Sequence, residues 1–442
     1  MSNDRKMRLG AFLMAGGHHI AAWRHPDAHA TAGIDIDHFI ELARIAERGK
    51  FDMIFVEDAA AIRERNPEMA SQAARSTAFE PLSLLAALAV NTSHIGLVAT
   101  ASTTYNEPYG LARTFASLDQ LSGGRIGWNL VTSASDLEAE NFASSGLRPH
   151  SERYERAEEF ANAALALWDG VADGAYLPQG EGTFTDRAKL HPISHQGKHF
   201  AVDGLLESQR SPQGRPIMVQ AGASDVGKEL AARTADVVFA ASQTIVEAQA
   251  YYADVKSRLA KYGREPDDIK IMPGISPIVG ATEAEAKAKY RALQELIPDA
   301  VGVALLASYL SIQDLSAYPL DGPLPDMPQT NLIQSRQQLI IDLGKRENLS
   351  IRELARHFAG ARGHWQVAGT PGQIADAMEE RFLAGAADGF NVMAPLFPSG
   401  LEDFVTFVVP ELRRRGLFRD EYEGDTLRAN LGVGAPASMI AS

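Results

Sequence analysis

Asp58, Thr103, Thr104, Thr132, Ser133 and Ser224 share one context: each stands at or just past the end of a short apolar run that reads as a β-strand. Hydroxyls and a carboxylate at successive strand exits suit the recognition of a small polar ligand. Asn129 and Val131 lie on the same run as Thr132 and Ser133, within Ser122-Gly-Gly-Arg-Ile-Gly-Trp-Asn-Leu-Val-Thr-Ser133. His18 and His19 follow the first such run, and an imidazole there could act as general acid or base near neutral pH. Gln220-Ala-Gly-Ala-Ser-Asp225 pairs small residues, which let backbone approach a ligand, with a serine where a helix begins. A helix N-terminus of that kind suits a phosphate. Arg153 and Tyr154 open another helix within reach of the same end, and offer a cation and a phenol to it.

Each of these residues has a plainer structural reading. Ser224 is also a good N-cap, Tyr154 is also a packing residue, and polar strand exits often only cap the next helix. Glu57 is expected as a salt-bridge partner at the strand end rather than a ligand contact. Trp23, Trp128 and Trp365 suit stacking on a flat ring or filling a core. Arg24, Arg63, Arg65 and Arg362 would favour an anionic substrate if they face the site. A metal-dependent hydrolase would place His-x-His on one strand so that both rings point inward. Here His18 and His19 are adjacent, while His150, His191, His195, His199 and His364 are scattered, so no metal ligand is assigned.

Composition narrows the chemistry further. The chain has no cysteine, which removes disulfides, thiolate ligands and thiol nucleophiles. Its formal charge of −14 argues against nucleic acid and anionic membranes as partners, while leaving room for a local basic pocket. No apolar run approaches the ~20 residues of a membrane span, and the first residues are too polar for a secretory signal, so a cytoplasmic location is expected.

The elements that must position these residues alternate between strand and helix from the start, which selects a parallel α/β fold. Strands are expected at 8–14, 51–56, 95–99, 125–131, 216–220, 235–240, 269–275 and 389–393, separated by helical patterns. Asp35 is placed to cap the first helix and Gly49 to end it. That rhythm predicts one (β/α)8 TIM barrel domain over residues 1–442, with two insertions on the C-terminal (loop) face at about 169–215 and 297–361. Strand C-termini of such a barrel share one mouth, which would gather the candidates above. A doubly wound sheet fits less well, because no G-x-G-x-x-G opens the first helix.

Six segments in chain order resemble the bacterial luciferase-like flavin monooxygenases. They are His18–Pro26, Ser122–Ser133, Gly146–Tyr154, Gln220–Ser224, Pro273–Ile278 and Ala386–Val392, and they span nearly the whole chain. The likeness is greatest to the subgroup of nitrilotriacetate monooxygenase component A, pristinamycin IIA synthase and dibenzothiophene sulfone monooxygenase. The resemblance implies a luciferase-like barrel that binds reduced FMN (FMNH2) from a separate NAD(P)H:FMN reductase. It further implies insertion of one atom of O2 into a small organic substrate through a flavin C4a-(hydro)peroxide, as in xenobiotic degradation.

By the same resemblance Asp58, Thr104, His150, Tyr154 and Ser224 would contact FMN, with Thr103, Val131, Thr132 and Ser133 lining the site. Tyr154, Ser224 and Arg153 would take the phosphate. His18 or His19 would assist proton transfer or orient the substrate, and the second insertion would act as a lid. A homo-oligomer, dimer or tetramer, is expected. A metal-dependent barrel hydrolase and a noncatalytic or F420-type flavoprotein of the same superfamily are the alternatives.

Overall fold

Alternation along each strand sorts the chain into an inner and an outer core. On Ile126–Val131, Ile126, Trp128 and Leu130 face the helices, while on Gly96–Ser102 Val98 joins Phe12, Phe55, Val219, Phe239 and Met272 on the barrel axis. The computed structural model describes residues 5–436 apart from 63–69, 73, 75, 143–145, 177–181, 311, 313, 314, 316 and 328–333. Its strands are β1 Arg8–Leu13, β2 Met53–Val56, β3 Gly96–Ser102, β4 Ile126–Val131, β5 Ile193–Gln196, β6 Ala201–Gly204, β7 Ile217–Gln220, β8 Val237–Ala240, β9 Lys270–Val279, β10 Trp365–Gly369 and β11 Gly389–Val392.

Eight parallel strands close a ring in the order β1, β2, β3, β4, β7, β8, β9, β11 and back to β1. This is a (β/α)8 barrel, built from the eight expected strands. The sequence reading did not include β10. The first half of β9 pairs with β8 inside the ring, and its far half, Ile275–Val279, runs past the rim to pair with β10. Trp365 to Val367 are only partly buried, so β10 lacks the continuous apolar run that marks a barrel strand.

Helix Ile36–Arg48 is capped as expected, with the Asp35 carboxylate accepting from the backbone of Asp37 and His38 and Gly49 at its C-terminus. The helix after β4 starts at His150 and runs to Asp169, three residues ahead of the expected Arg153.

The opposite end of the barrel is filled by the chain's C-terminal segment. Leu427, Leu431 and Val433 join the inner core, and a Cβ on Gly96 would fall 2.9 Å from the Asp52 carbonyl oxygen and press on the Leu427 methyls, so glycine lets the plug seat there. Arg428 pairs with Asp236 at 2.9 Å and Arg419 donates to the Asn430 carbonyl at 2.6 Å, holding this plug by buried charge-assisted bonds.

The two inserted segments leave from different ends of the barrel. Residues 170–216 connect a helix C-terminus to the start of β7, which places their two ends at the N-terminal face rather than the loop face expected for them. Near that floor Arg210 and Arg215 meet Asp169 at 3.5 and 3.3 Å. The β5–β6 hairpin then packs along the outside of helix His150–Asp169, where Glu159 accepts from the backbone of His199 and Phe200.

Helices Asp299–Leu310, Gln334–Glu347 and Ile351–Ala361 form the second segment, with a small core of its own around Leu306, Leu310, Leu354 and Phe358. It returns to the barrel at the loop face, through the turn at Arg362 and His364. Among the described residues no single helix is long and apolar enough to cross a membrane.

Candidate active site

The exits of β3 and β4 are tied into one polar wall. Thr103 is fully buried, and its backbone N–H and its hydroxyl both donate to the Val131 carbonyl, at 2.9 and 3.2 Å. The Thr104 hydroxyl donates to the Thr132 carbonyl at 2.6 Å, and the Ser133 hydroxyl lies 2.8 Å from that of Ser102. Ser133 adopts φ 46°, a left-handed conformation uncommon for a residue with a side chain and concentrated at functional sites. Just below, Asn129 donates to the Thr100 hydroxyl at 2.8 Å, and Thr100 donates to the Val56 carbonyl at 2.9 Å. The Asn129 carbonyl oxygen is buried with no donor facing it. Such an acceptor is costly to leave unmatched.

A second cluster forms at the exit of β7. Ser224 caps helix Asp225–Thr234 by accepting from Gly227 N–H at 3.2 Å, which leaves its own O–H to donate. A Cβ placed on Gly227 would lie 3.0 Å from the Tyr154 hydroxyl and 3.2 Å from the Ser224 hydroxyl. Gly222 and Gly227 approach so closely that a Cβ on either would fall about 3 Å from the other's Cα, at 2.9 and 3.0 Å. Two hydroxyls and a helix N-terminus therefore converge on a cradle that any side chain would obstruct. His150 packs its ring 4.8 Å from that of Tyr154, and burial together with Arg153 holds its pKa below the usual range. Arg153 itself is 1% exposed and donates to the Arg148 carbonyl at 2.9 Å.

The rest of the rim is aromatic and imidazole. Phe12 meets His18, Phe55 and Phe239 edge-on at 4.6, 4.8 and 5.6 Å, and His364 stacks on Phe239 at 5.0 Å. His18 is fully buried, with Nε2 bonded to the Phe12 carbonyl at 2.8 Å. His19 accepts at Nδ1 from Ala21 N–H at 3.2 Å, so its proton sits on Nε2, which is buried without a partner. Burial pushes the His19 pKa down to about 4, so this ring stays neutral where a general acid or base near pH 7 was expected. It can donate a hydrogen bond but does not gain charge there.

Glu57 pairs with Arg362 at 2.7 Å, the salt bridge expected of it. Arg362 also reaches the Tyr309 hydroxyl at 3.3 Å and the Met14 sulfur at 3.2 Å, which ties the second insertion to β1 and β2. Burial works against its charge, but Glu57 and Tyr309 more than offset that and raise its pKa. Asp58 is exposed at the β2 exit, and Arg63 and Arg65 lie outside the described residues. Among the described residues no group of three His, Asp or Glu side chains could hold a metal ion.

Residues 16–388 match the luciferase-like monooxygenase family. The chain belongs to it. Nitrilotriacetate monooxygenase component A of Aminobacter aminovorans is 48% identical over 450 residues, covering 100% of this chain and 99% of the relative. N-acetyl-S-(2-succino)cysteine monooxygenase of Bacillus subtilis is 49% identical over 444 residues, with the same coverage of each. Among solved structures, a riboflavin lyase holding a modified FMN and riboflavin superposes with a TM-score of 0.88 at 30% identity, covering 98% of this chain and 97% of that one.

As a luciferase-like monooxygenase the chain is an enzyme, and the relatives support flavin-dependent oxygenation. The structure groups Thr103, Thr104, Val131, Thr132 and Ser133 in one wall, and Tyr154, Ser224 and His150 around one helix N-terminus. Trp128 lies outside the ring against Phe115, Phe160 and Trp168, so it is core rather than ligand platform. Sequence reasoning missed Arg156, which donates to the Thr103 carbonyl at 3.2 Å and braces the polar wall from the helix behind it. It also missed His364 as a rim residue; the following β10 was the cue, and its pattern is too polar to read as a strand.

Proposed function

We propose that this luciferase-like monooxygenase is the oxygenase component of a two-component system, using FMNH2 from a separate reductase to insert one oxygen atom into a small organic substrate. The observation that carries the reading is the cradle at Gly227, where the Ser224 and Tyr154 hydroxyls meet the N-terminus of helix Asp225–Thr234. The residues present fit FMN. That cradle suits the phosphate, with Arg153 close by in sequence to lend charge. The β3–β4 wall suits the polar edge of an isoalloxazine, with Asp58 at the neighbouring exit. Reduced flavin, when bound, supplies the activation of O2.

The chain's own residues have three tasks in this reading. The hydroxyl wall orients the ring, the aromatic side of the rim excludes water, and the neutral His19 donates a hydrogen bond without exchanging a proton near pH 7. The name "component A" of the Aminobacter relative supports a partner reductase. Its substrate and that of the Bacillus relative are carboxylates, which supports a small and possibly anionic substrate here. Assembly as a homo-oligomer and a cytoplasmic location belong to the same reading.

Anaerobic titration with reduced FMN tests it. The wild type is expected to bind, and Ser224→Asp, which sets a carboxylate against the phosphate, to weaken binding tenfold or more, about 1.4 kcal/mol. Unchanged affinity in that variant would remove the phosphate from Ser224. Preference for reduced F420 over FMN would overturn the cofactor assignment. Supplying FMNH2 from a generic reductase and following product against peroxide release then tests oxygen transfer.

A further inference from the structure

Arg24 differs from the other sheltered arginines of this chain. Arg125 donates to the Ile95 and Ala89 carbonyls, Arg264 to those of Ala232 and Ala235, and Arg381 to that of Gln243. Arg24 has no such outlet. It is half-buried, its Nε is closed off from solvent with no acceptor, and among the described residues it forms no ion pair. Its guanidinium lies 4.4 Å over the ring of Trp23, which is 39% exposed. The carboxylates of the same loop are turned to histidines, Asp27 toward His25 at 3.8 Å and Asp35 to His29 at 2.7 Å. In a chain with 56 acidic residues against 42 basic ones, a half-buried guanidinium with no ion pair among the described residues is conspicuous. Only its Nε is closed off, so the terminal nitrogens of the guanidinium remain open to meet an anion from solution.

Its place in the fold limits what that anion can be. The turn Ala22–Arg24 belongs to the β1 exit loop, a few residues past His18 and His19. Ile20 and Ala21 of that loop pack on Ile297, Val301 and Ala359 of the second insertion, and Ile20 N–H donates to the Ala359 carbonyl at 3.0 Å. Arg24 thus stands on the side of the rim formed by β1 and the insertion, away from the Ser224 and Tyr154 cradle that suits the flavin phosphate.

We propose that Arg24, backed by the Trp23 ring, binds a carboxylate of the substrate, so that the molecule oxidised is a small carboxylic acid held by its anionic end at the β1 loop. A planar guanidinium over an aromatic face presents a fixed fork to a carboxylate, which a lysine ammonium does not reproduce. This inference rests on the monooxygenase reading above, and its test separates the two.

The probes are iminodiacetate, thiodiacetate and nitrilotriacetate, each beside its methyl ester, titrated calorimetrically into wild-type protein with and without oxidised FMN. The expected result is that at least one acid binds and its ester binds at least tenfold more weakly. Arg24→Gln lowers affinity for that acid tenfold or more and leaves ester affinity unmoved, while Arg24→Lys recovers only part of the loss. In turnover with supplied FMNH2, Arg24→Gln raises KM for the acid with kcat changed less than twofold. Equal binding of acid and ester, binding of no acid, or an unaffected Arg24→Gln variant overturns the proposal. An enzyme that binds reduced FMN and oxidises only neutral members of the panel keeps the monooxygenase reading and loses this one. A protein that binds the acids through Arg24 but not reduced FMN does the reverse.

Discussion

At β3, β4 and β7 the rim consists of hydroxyls and backbone groups bonded to one another, as in Thr103 to Val131 and Thr104 to Thr132. At β8, β1 and β2 it consists of aromatic rings, imidazoles and the Arg362–Glu57 pair, closed over by a helical insertion. The first side is braced by short bonds between neighbouring strand exits and offers fixed donors and acceptors. The second is joined to the barrel by side chains from a distant part of the chain, so it can change with its insertion while the first stays as it is. That contrast suits a site in which one half holds a constant cofactor and the other a variable substrate.

The comparison can be broken first at the latch. Arg362→Met removes the Arg362 cation from Glu57, and loss of one partner of a sheltered ion pair costs about 3 kcal/mol. The expected outcome is a lower melting temperature and more peroxide released per product, with reduced-FMN affinity within twofold of wild type. Equal loss of FMN affinity would mean that the two halves are not independent.

Gly227→Val should act on the other half alone. Its branched side chain would press on Tyr154, Ser224 and the Gly222 backbone, and FMN affinity should fall about a hundredfold, roughly 2.7 kcal/mol, with any change in the near-UV circular dichroism of the apoprotein confined to this local shift.

His19 offers a pH test of the substrate half. Its folded pKa of about 4 lies below the unfolded value near 6.5, so the unfolded chain binds the proton first and stability falls as pH drops between them. Urea unfolding of wild type should lose about 2 kcal/mol more than His19→Gln between pH 7 and pH 5. Above pH 7 the two proteins should show parallel stability profiles.

The smallest expected effect is that of Thr104→Val. One hydroxyl bond to Thr132 is worth about 1 kcal/mol, and FMN should bind about fivefold more weakly.

Most of the hydroxyl half, where the flavin is proposed to bind, was legible from sequence as strand exits, because its residues follow apolar strands directly and a barrel sends every strand exit to one mouth. Ser224 could be read as both cap and ligand because one hydroxyl accepts and donates at once. The substrate half was less legible, since its residues come from loops whose return point depends on packing. Arg362 lies 305 positions from Glu57 in sequence, and nothing local to either one announces the pair. His19 was readable as a candidate but not as a neutral ring, because burial rather than residue type sets its pKa. The first insertion was assigned to the wrong face because its composition is loop-like, whereas its place between a helix end and a strand start decides where it leaves the barrel.

The plug made by Leu427, Leu431 and Val433 has a kinetic consequence. With its floor filled, the barrel is a cup rather than a pipe, and traffic passes over one rim. Molecules that share a single doorway must queue. In the proposed reading, with the flavin on the strand exits and substrate toward the insertion, the flavin is seated before substrate and product leaves before spent flavin. Initial-rate patterns should therefore be those of compulsory-order addition, with the packed axis and the plug Thr426–Val433 together closing the other end of the barrel.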